Sequence, residues 1–349
     1  MQQAQTIVHD HPEPRSPERV VVLGSSGFLG RHLVQRLEQV GIETAAPASA
    51  DLDLSSPRAA SLLADLLRPT DAVVFLAATK LGLRLDEDGF VDNVAMGAAV
   101  CNAVRNRSCA HVVYMSSDAV YPFTNSAIRE DAPTASTSLY AVMHLARETM
   151  LRNLNGPPLA ILRVTQVYGA GDPHGAYGPR RMVRSALSEG RIVLYGEGQE
   201  TRDHIHVDDV SSIMSEVLMR RSHGLVNIAT GRSTSFAALA DLVAQGCGGS
   251  IRIEHDPPRM PVLHRQFDTE ALRAAFPGRP GIALESGIEI LIEQERKAQS
   301  TGTSARHTGG VHSRHGHNGA GLDGQSEVHD AKRLSAPAVG SASERDRSQ

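Results

Sequence analysis

The sequence predicts a doubly wound α/β protein built on a parallel sheet, and three observations carry that expectation. Apolar runs at Arg19–Leu23, Ala72–Ala78, His111–Met115 and Leu159–Val164 are separated by segments with helical periodicity. They are apolar on successive residues, as in strands buried on both faces, and strands alternating with helices imply a parallel sheet. The first run leads directly into Gly24-Ser25-Ser26-Gly27-Phe28-Leu29-Gly30, spaced Gly-x-x-Gly-x-x-Gly ahead of an amphipathic helix. Such a turn lets the backbone approach a pyrophosphate while the helix N-terminus faces its charge. Gly24 makes the tight turn, Gly27 the close approach and Gly30 the packing of helix on strand, so the three mark a dinucleotide site in the context the motif requires.

The chain has 349 residues, 41% of them hydrophobic, enough for a sizeable core in one large domain or two. It has no tryptophan, 4% aromatics and a formal net charge of -4, which gives no electrostatic or stacking basis for nucleic acid or an anionic membrane surface. The cysteines Cys101, Cys109 and Cys247 have neither metal-site nor disulfide-framework spacing and fit a reducing cytoplasm. Residues 1–17 are polar and proline-bearing and read as a flexible leader without the apolar core of a secretory signal. No stretch is apolar for long enough to span a bilayer.

In order, a strand at Arg19–Leu23 precedes a helix from Phe28 to Val40 that Gly41 ends. A short second strand lies near Glu43–Ala46. It closes on Ala46-Pro47-Ala48-Ser49, with neither the acid that binds an adenosine ribose nor an arginine for a 2′-phosphate, so NAD and NADP both stay open. A helix through Leu62–Leu67, the strand at Ala72–Ala78, a helix over Val91–Asn106 and a strand ending in Ser116-Ser117-Asp118 follow. Ligands of such sheets bind outside the carboxyl ends of the strands, where Ser117 falls. A helix over Ser138–Asn153 carries Tyr140 and His144 one turn apart on one face. The dinucleotide domain is expected over 18–170, with a strand and a helix returning to it up to about 230. A smaller α/β substrate-binding region is expected over 171–298, and a disordered tail over 299–349, rich in Ser, Gly, His and Arg.

These residues resemble the extended short-chain dehydrogenase/reductase family, in its NAD-dependent epimerase/dehydratase branch that modifies nucleotide sugars. The likeness runs from about Val20 to Leu291. It rests on the glycine turn, Asp53-Leu54, the Phe-Leu-Ala-Ala strand end, Ser-Ser-Asp-Ala-Val-Tyr, a tyrosine four residues before a basic residue, Val167-Tyr168-Gly169, and Arg202-Asp203 with Val207-Asp208-Asp209. It implies a Rossmann-like sheet, an NAD or NADP cofactor, a nucleotide-sugar substrate, and in many relatives a homodimer. Carried over position by position, Phe28 and Leu29 line the pyrophosphate turn and Asp53 and Leu54 meet the adenine. Leu76, Ala77, Ala78 and Lys80 lie beneath the cofactor, Asn93 stands beside it, and Thr165 falls at the nicotinamide. Ser117 and Tyr140 would carry the hydroxyl and proton chemistry. Asp118, Gln166, Arg202 and Arg259 fall on the substrate side; the alternative for Arg202 is a surface ion pair with an acid such as Asp208.

Three departures qualify the resemblance. The family places lysine where this chain has His144, a group whose charge at neutral pH the sequence leaves open. His144 therefore either substitutes for that lysine, with help from Lys80, or marks a catalytically weak, cofactor-binding relative. Gln166 stands where an asparagine often touches substrate. Asp118 is followed by Ala119 instead of the glutamate that sugar 4,6-dehydratases use to abstract a proton, which favours an epimerase or a 4-keto-sugar reductase. The alternation of His204 and His206 belongs to the family's Arg-Asp strand pattern and is not read as a metal pair; no metal is expected.

Overall fold

A computed structural model describes residues 5–79, 85–124, 126–135, 138–173, 178–258 and 261–307, with 301–307 as helical backbone only. Lys80 and Arg259 lie outside the described residues. Residues 1–303 form one compact unit, and the remainder, from Ser304, is described only at its helical start.

The central sheet has seven strands. Six are parallel: β2 (Arg19–Leu23), β3 (Glu43–Ala45), β4 (Ala72–Phe75), β5 (His111–Ser117), β6 (Leu159–Val164) and β10 (Ser222–Ile228). The seventh, β1 (Val8–His9), pairs antiparallel with β10, and the order is β3-β2-β4-β5-β6-β10-β1. The order reverses at β2, whose neighbours are β3 and β4, and a crevice opens there at the strands' carboxyl ends.

The strand residues divide by parity between two cores. Val20, Val22, Val74, Val113 and Leu162 face α1 (Phe28–Gln39) and α6 (Val207–Met219), meeting Leu33, Leu37, Val210 and Ile213. Val21, Leu23, Val73, Phe75, Val112 and Ile161 face the other layer. That layer is α2 (Ala59–Leu66), α3 (Glu87–Asn106) and α4 (Leu139–Arg152), which supply Leu63, Val100 and Leu151. Period-two side chains on a sheet covered by helices on both faces account for the continuous apolar runs.

A third core closes the carboxyl side of the sheet. It packs α5 (Pro179–Glu189), β8 (Arg191–Tyr195), α7 (Phe236–Cys247) and α9 (Leu284–His307) around Val183, Leu194, Leu239 and Leu291. Two small sheets flank it. One orders β11 (Ser233–Ser235), β9 (Thr201–His206) and β7 (Gln166–Tyr168); the other pairs β12 (Arg252–Asp256) with β8. A short helix, α8 (Glu270–Ala275), packs near β10.

Three elements differ from expectation. The leader is not loose where it is described. Val8 pairs with His223, Ile7 is buried, and the His9 ring bonds Ser222 Oγ at 2.7 Å and the Ala275 carbonyl at 2.8 Å. A two-residue strand has no sequence periodicity to reveal it. Helix α3 starts at Glu87 instead of Val91, because the Asp86 side chain accepts from the Gly89 amide at 2.8 Å and caps it. Helix α9 runs to His307, past the expected start of the tail at 299.

Candidate active site

A cleft of about 810 Å³ opens at the carboxyl ends of β2, β4, β5 and β6. Its lining gathers Gly24, Gly27, Phe28, Leu29, Gly30, Asp53, Leu54, Leu76, Ala77, Ala78, Ser117, Asp118, Tyr140, His144, Thr165 and Gln166, residues far apart in sequence. Asn93 and Arg202 are not among the lining residues.

The glycine turn is built for a close backbone approach. Gly24 has φ +94°, and a Cβ there would stand 2.7 Å from the Ala77 amide nitrogen. A Cβ on Gly30 would stand 2.1 Å from the Gly24 carbonyl oxygen. Gly27 caps α1 without a side-chain hydrogen bond, and the first turn carries no acidic residue. Its amides are therefore left to an incoming anion. This cradle fits the pyrophosphate of a dinucleotide. Asp53 and Leu54 line the far end of the cleft, near Pro47, Ser49 and Ser55. The Asp53 carboxylate accepts from the Ser55 hydroxyl at 2.7 Å and its amide at 2.9 Å, which hold it below the usual carboxylate range.

Asn93 does not offer a group to the cofactor. Its Nδ2 donates to the Thr79 carbonyl at 2.8 Å and the Gly89 carbonyl at 2.7 Å; its Oδ1 accepts from the Thr79 amide at 3.2 Å and from Arg147 at 2.9 Å. Every hydrogen-bonding position of the amide is used. Asn93 thus fixes the loop after β4 and shapes the floor of the site. Thr165 is buried, and its hydroxyl donates to the Asp203 carbonyl at 3.0 Å.

At the chemical end, β5 delivers Ser117 and the first turn of α4 delivers Tyr140. Ser138 starts that helix by accepting from the Ala141 amide at 3.2 Å. Burial pushes the Tyr140 phenol above its ordinary value; a hydrogen bond with Ser117 and the charge of Arg147 oppose the rise, while Asp118 adds to it. The Ser117 hydroxyl also accepts from the Ala119 amide at 3.1 Å. His144 stacks edge-on against Tyr140 with ring centroids 4.7 Å apart. Burial, with the Arg147 charge beside it, holds the imidazole down to about 3, so it is neutral at physiological pH. His144 therefore does not replace a lysine as a cation. The position is too dry to hold the charge.

Arg202 is tied to the wall. Its guanidinium donates to the Thr201 carbonyl at 2.9 Å and the Leu263 carbonyl at 2.6 Å, and approaches Glu200 at 3.5 Å. Asp208, the acid considered for it, instead meets His32 at 3.1 Å. Two residues that sequence reading missed hold the site together. Buried Arg265 pairs with Asp118 at 3.0 Å and donates to the Tyr121 carbonyl at 3.0 Å, clamping the turn after β5. Arg147 is buried behind Tyr140 and His144. Arg265 sits in an aperiodic segment that gives no signal; Arg147 does leave one, as a charge in the apolar row Met143, Arg147, Leu151. His204 and His206 stack on Phe236 and Tyr168, and no group of three or more metal-ligating side chains occurs among the described residues.

A doubly wound sheet with a glycine cradle at its switch point, and a serine–tyrosine pair in the same cleft, defines a dinucleotide-dependent enzyme. The sequence profile of the NAD dependent epimerase/dehydratase family matches residues 20–229, and the chain belongs to that family. NAD is accordingly its cofactor. The chain is similar to a UDP-glucose 4-epimerase of Mycolicibacterium smegmatis, 29% identical over 308 residues, 79% of this chain and 97% of that protein. It is also similar to a dTDP-4-dehydro-6-deoxy-D-allose reductase of Streptomyces bikiniensis, 28% identical over 278 residues, 69% of this chain and 84% of that protein. Its fold superposes on the UDP-glucose 4-epimerase of Thermus thermophilus, a complex with NAD, with a TM-score of 0.70 at 23% identity, over 80% of this chain and 99% of that one. No helix of the described residues is long and apolar enough to cross a membrane.

Proposed function

We propose that this protein oxidises or reduces a ring carbon of a nucleotide sugar, as an epimerase or a 4-keto-sugar reductase. The observation that carries the reading is the meeting of Ser117 and Tyr140 in the cleft that holds the glycine cradle. The relatives whose names specify UDP-glucose epimerisation and 4-keto-sugar reduction support the substrate class.

NAD, when bound, accepts or returns a hydride. This chain's residues handle the rest. Gly24, Gly27 and Gly30 admit the pyrophosphate. Ser117 hydrogen-bonds the reacting sugar oxygen, and Tyr140 takes up or returns its proton. An ordinary phenol has a pKa of about 10 and needs positive charge nearby to serve as a base. Asp118, paired with Arg265, is held away from proton abstraction, and Ala119 supplies no second carboxylate. This favours redox chemistry at one carbon over elimination of water. The neutral His144 is the observation on the side of a catalytically weak cofactor binder.

The test is thermal stabilisation by NAD with UDP, GDP or dTDP in turn, followed by turnover of the corresponding sugar nucleotide. A ligand that binds the folded state raises Tm by mass action. Additive shifts with NAD and one nucleotide, followed by turnover, support the reading. Stabilisation by NAD alone, with no turnover of UDP-glucose or a 4-keto sugar nucleotide, supports the weak binder.

A further inference from the structure

His144 is 5% exposed yet lines the cleft. Its Nδ1 lies 2.7 Å from the Tyr114 hydroxyl, while its buried Nε2 has no partner among the described residues. Which ring nitrogen carries the proton follows from Tyr114. That phenol is buried in strand β5 and stays protonated, so it has one proton to give. The Arg147 guanidinium, which also acts on this phenol along with the charges of Glu148 and Tyr140, offers only N–H donors. Arg147 cannot accept the phenol's proton, so that proton is left for His144 Nδ1, 2.7 Å away. His144 then carries its hydrogen on Nε2, the buried nitrogen without a partner among the described residues.

Arg147 is 1% exposed. It donates to the Asn93 carbonyl at 2.7 Å, the Ala77 carbonyl at 2.9 Å and the Asn93 Oδ1 at 2.9 Å, with its cation 4.6 Å above the Phe75 ring. These partners are neutral oxygens and a ring face, so none cancels its charge. Tyr140, His144 and Arg147 recur on one face of α4 at the spacing of successive turns. Gly97 of α3 makes room for the arrangement, since a Cβ there would stand 2.9 Å from Arg147 Cγ.

We propose that Arg147 is the positioning cation of this site, favouring the Tyr140 phenolate from behind the cleft, while Tyr114 locks His144 as a neutral Nε2–H tautomer. The proposal rests on the dinucleotide and tyrosine chemistry proposed above. The titratable and charged groups around the cluster are Tyr114 from β5, Asp118 from the turn after it, Asp92 from α3, and Tyr140, Arg147 and Glu148 from α4. Glu148 is neutralised by Arg163 at 2.7 Å.

Two spectroscopic arms test it without turnover, so that failure here is distinct from failure of the proposed reaction. The first is long-range proton–nitrogen NMR of the histidine rings, with His144 assigned by loss of its signals in H144Q. The expected result is one Nε2–H tautomer that does not titrate between about pH 5 and 8, unlike an ordinary histidine near 6.5. The Y114F variant keeps the ring packing and is expected to release a tautomer mixture. An Nδ1–H tautomer in the wild type, or titration of His144 in that window, overturns the lock. The second arm follows Tyr140 by carbon-13 labelling of tyrosine Cζ in the NAD complex, assigned with Y140F. R147M is expected to shift the Tyr140 midpoint upward and R147K to restore it. A midpoint unmoved in folded R147M overturns the cation role. Should R147M not fold, R147Q takes its place: a raised Tyr140 midpoint sustains the role and an unmoved one overturns it.

Discussion

Arg163 of β6 and Glu148 of α4 face each other as a buried fork, Nε to Oε1 at 2.9 Å and Nη2 to Oε2 at 2.7 Å. The Ser116 hydroxyl donates to the same carboxylate at 2.6 Å, and Arg163 donates onward to Tyr121 Oη at 2.8 Å. Burial alone would raise the Glu148 pKa, but the fork and Ser116 bring it below the ordinary value. The pair fixes the helix of Tyr140 on the sheet. Removing one member leaves a buried charge unpaired, so R163M is expected to cost about 3–5 kcal/mol in denaturant unfolding. E148Q leaves the Arg163 guanidinium unpaired, and the double variant R163M/E148Q should recover part of the loss if unpaired charge sets the penalty. No recovery would point to packing.

Replacing Gly30 with alanine drives a methyl group into the Gly24 carbonyl. We expect G30A to weaken NAD by about tenfold or more, ~1.4 kcal/mol, in calorimetric titration. Gly156, where an added Cβ meets nothing within 4 Å and φ is not positive, is the control for a glycine outside the cradle.

The Y140F variant retains the ring and loses the proton. It should bind NAD as the wild type does while turnover falls about a hundredfold or more. Undiminished turnover would remove Tyr140 from the mechanism.

Acid stability follows from buried histidines. His111 and His204 are each held down to about 4 and His144 to about 3, chiefly by burial. The unfolded chain binds protons on these rings below about 6.5 while the folded one does not. Stability therefore falls as pH drops from about 6.5 toward 4. Asp203, raised to about 6 chiefly by burial, works the other way over part of that range. His206, lowered chiefly by burial, adds to the fall, while Glu130, raised by burial, and His32, raised by its bond to Asp208, oppose it; the three large histidine shifts dominate, and Tm is expected to decline on acidification. A Tm that rises between pH 6.5 and 4 would contradict this.

Val91 on α3 and Leu139 and Val142 on α4 are 62%, 36% and 38% exposed on helices that pack together. If α3 and α4 form the contact of a homodimer, V91E with V142E should yield a monomer in sedimentation velocity, with the wild type twice its mass. A wild type that is already monomeric removes the prediction's basis.

The parallel sheet and the cradle were legible because both are local patterns. Strands buried on two faces leave unbroken apolar runs, and the glycines sit between one such run and its helix. Ser117, Tyr140 and Thr165 were legible by resemblance, and their gathering in one cleft is what strand ends at a switch point produce. Motif position reveals proximity to a ligand but not the direction of an amide, and at Asn93 the amide is taken up by Thr79, Gly89 and Arg147. His144 illustrates a different limit. Its sequence neighbours gave no measure of burial, and burial decides its charge. Arg265 reaches Asp118 across a sequence separation that no periodic pattern spans.

The pairing of Val8 and His9 with β10 links nearly the first described residues to a strand formed more than two hundred positions later. During synthesis, six strands can assemble while their last member still shows an open row of amides and carbonyls to other nascent chains. A bare parallel edge of this kind invites association. The opening segment covers the part of that row from Ser222 to Leu225. If that cover guards the edge against association, shortening these residues should lower soluble yield more than it lowers Tm.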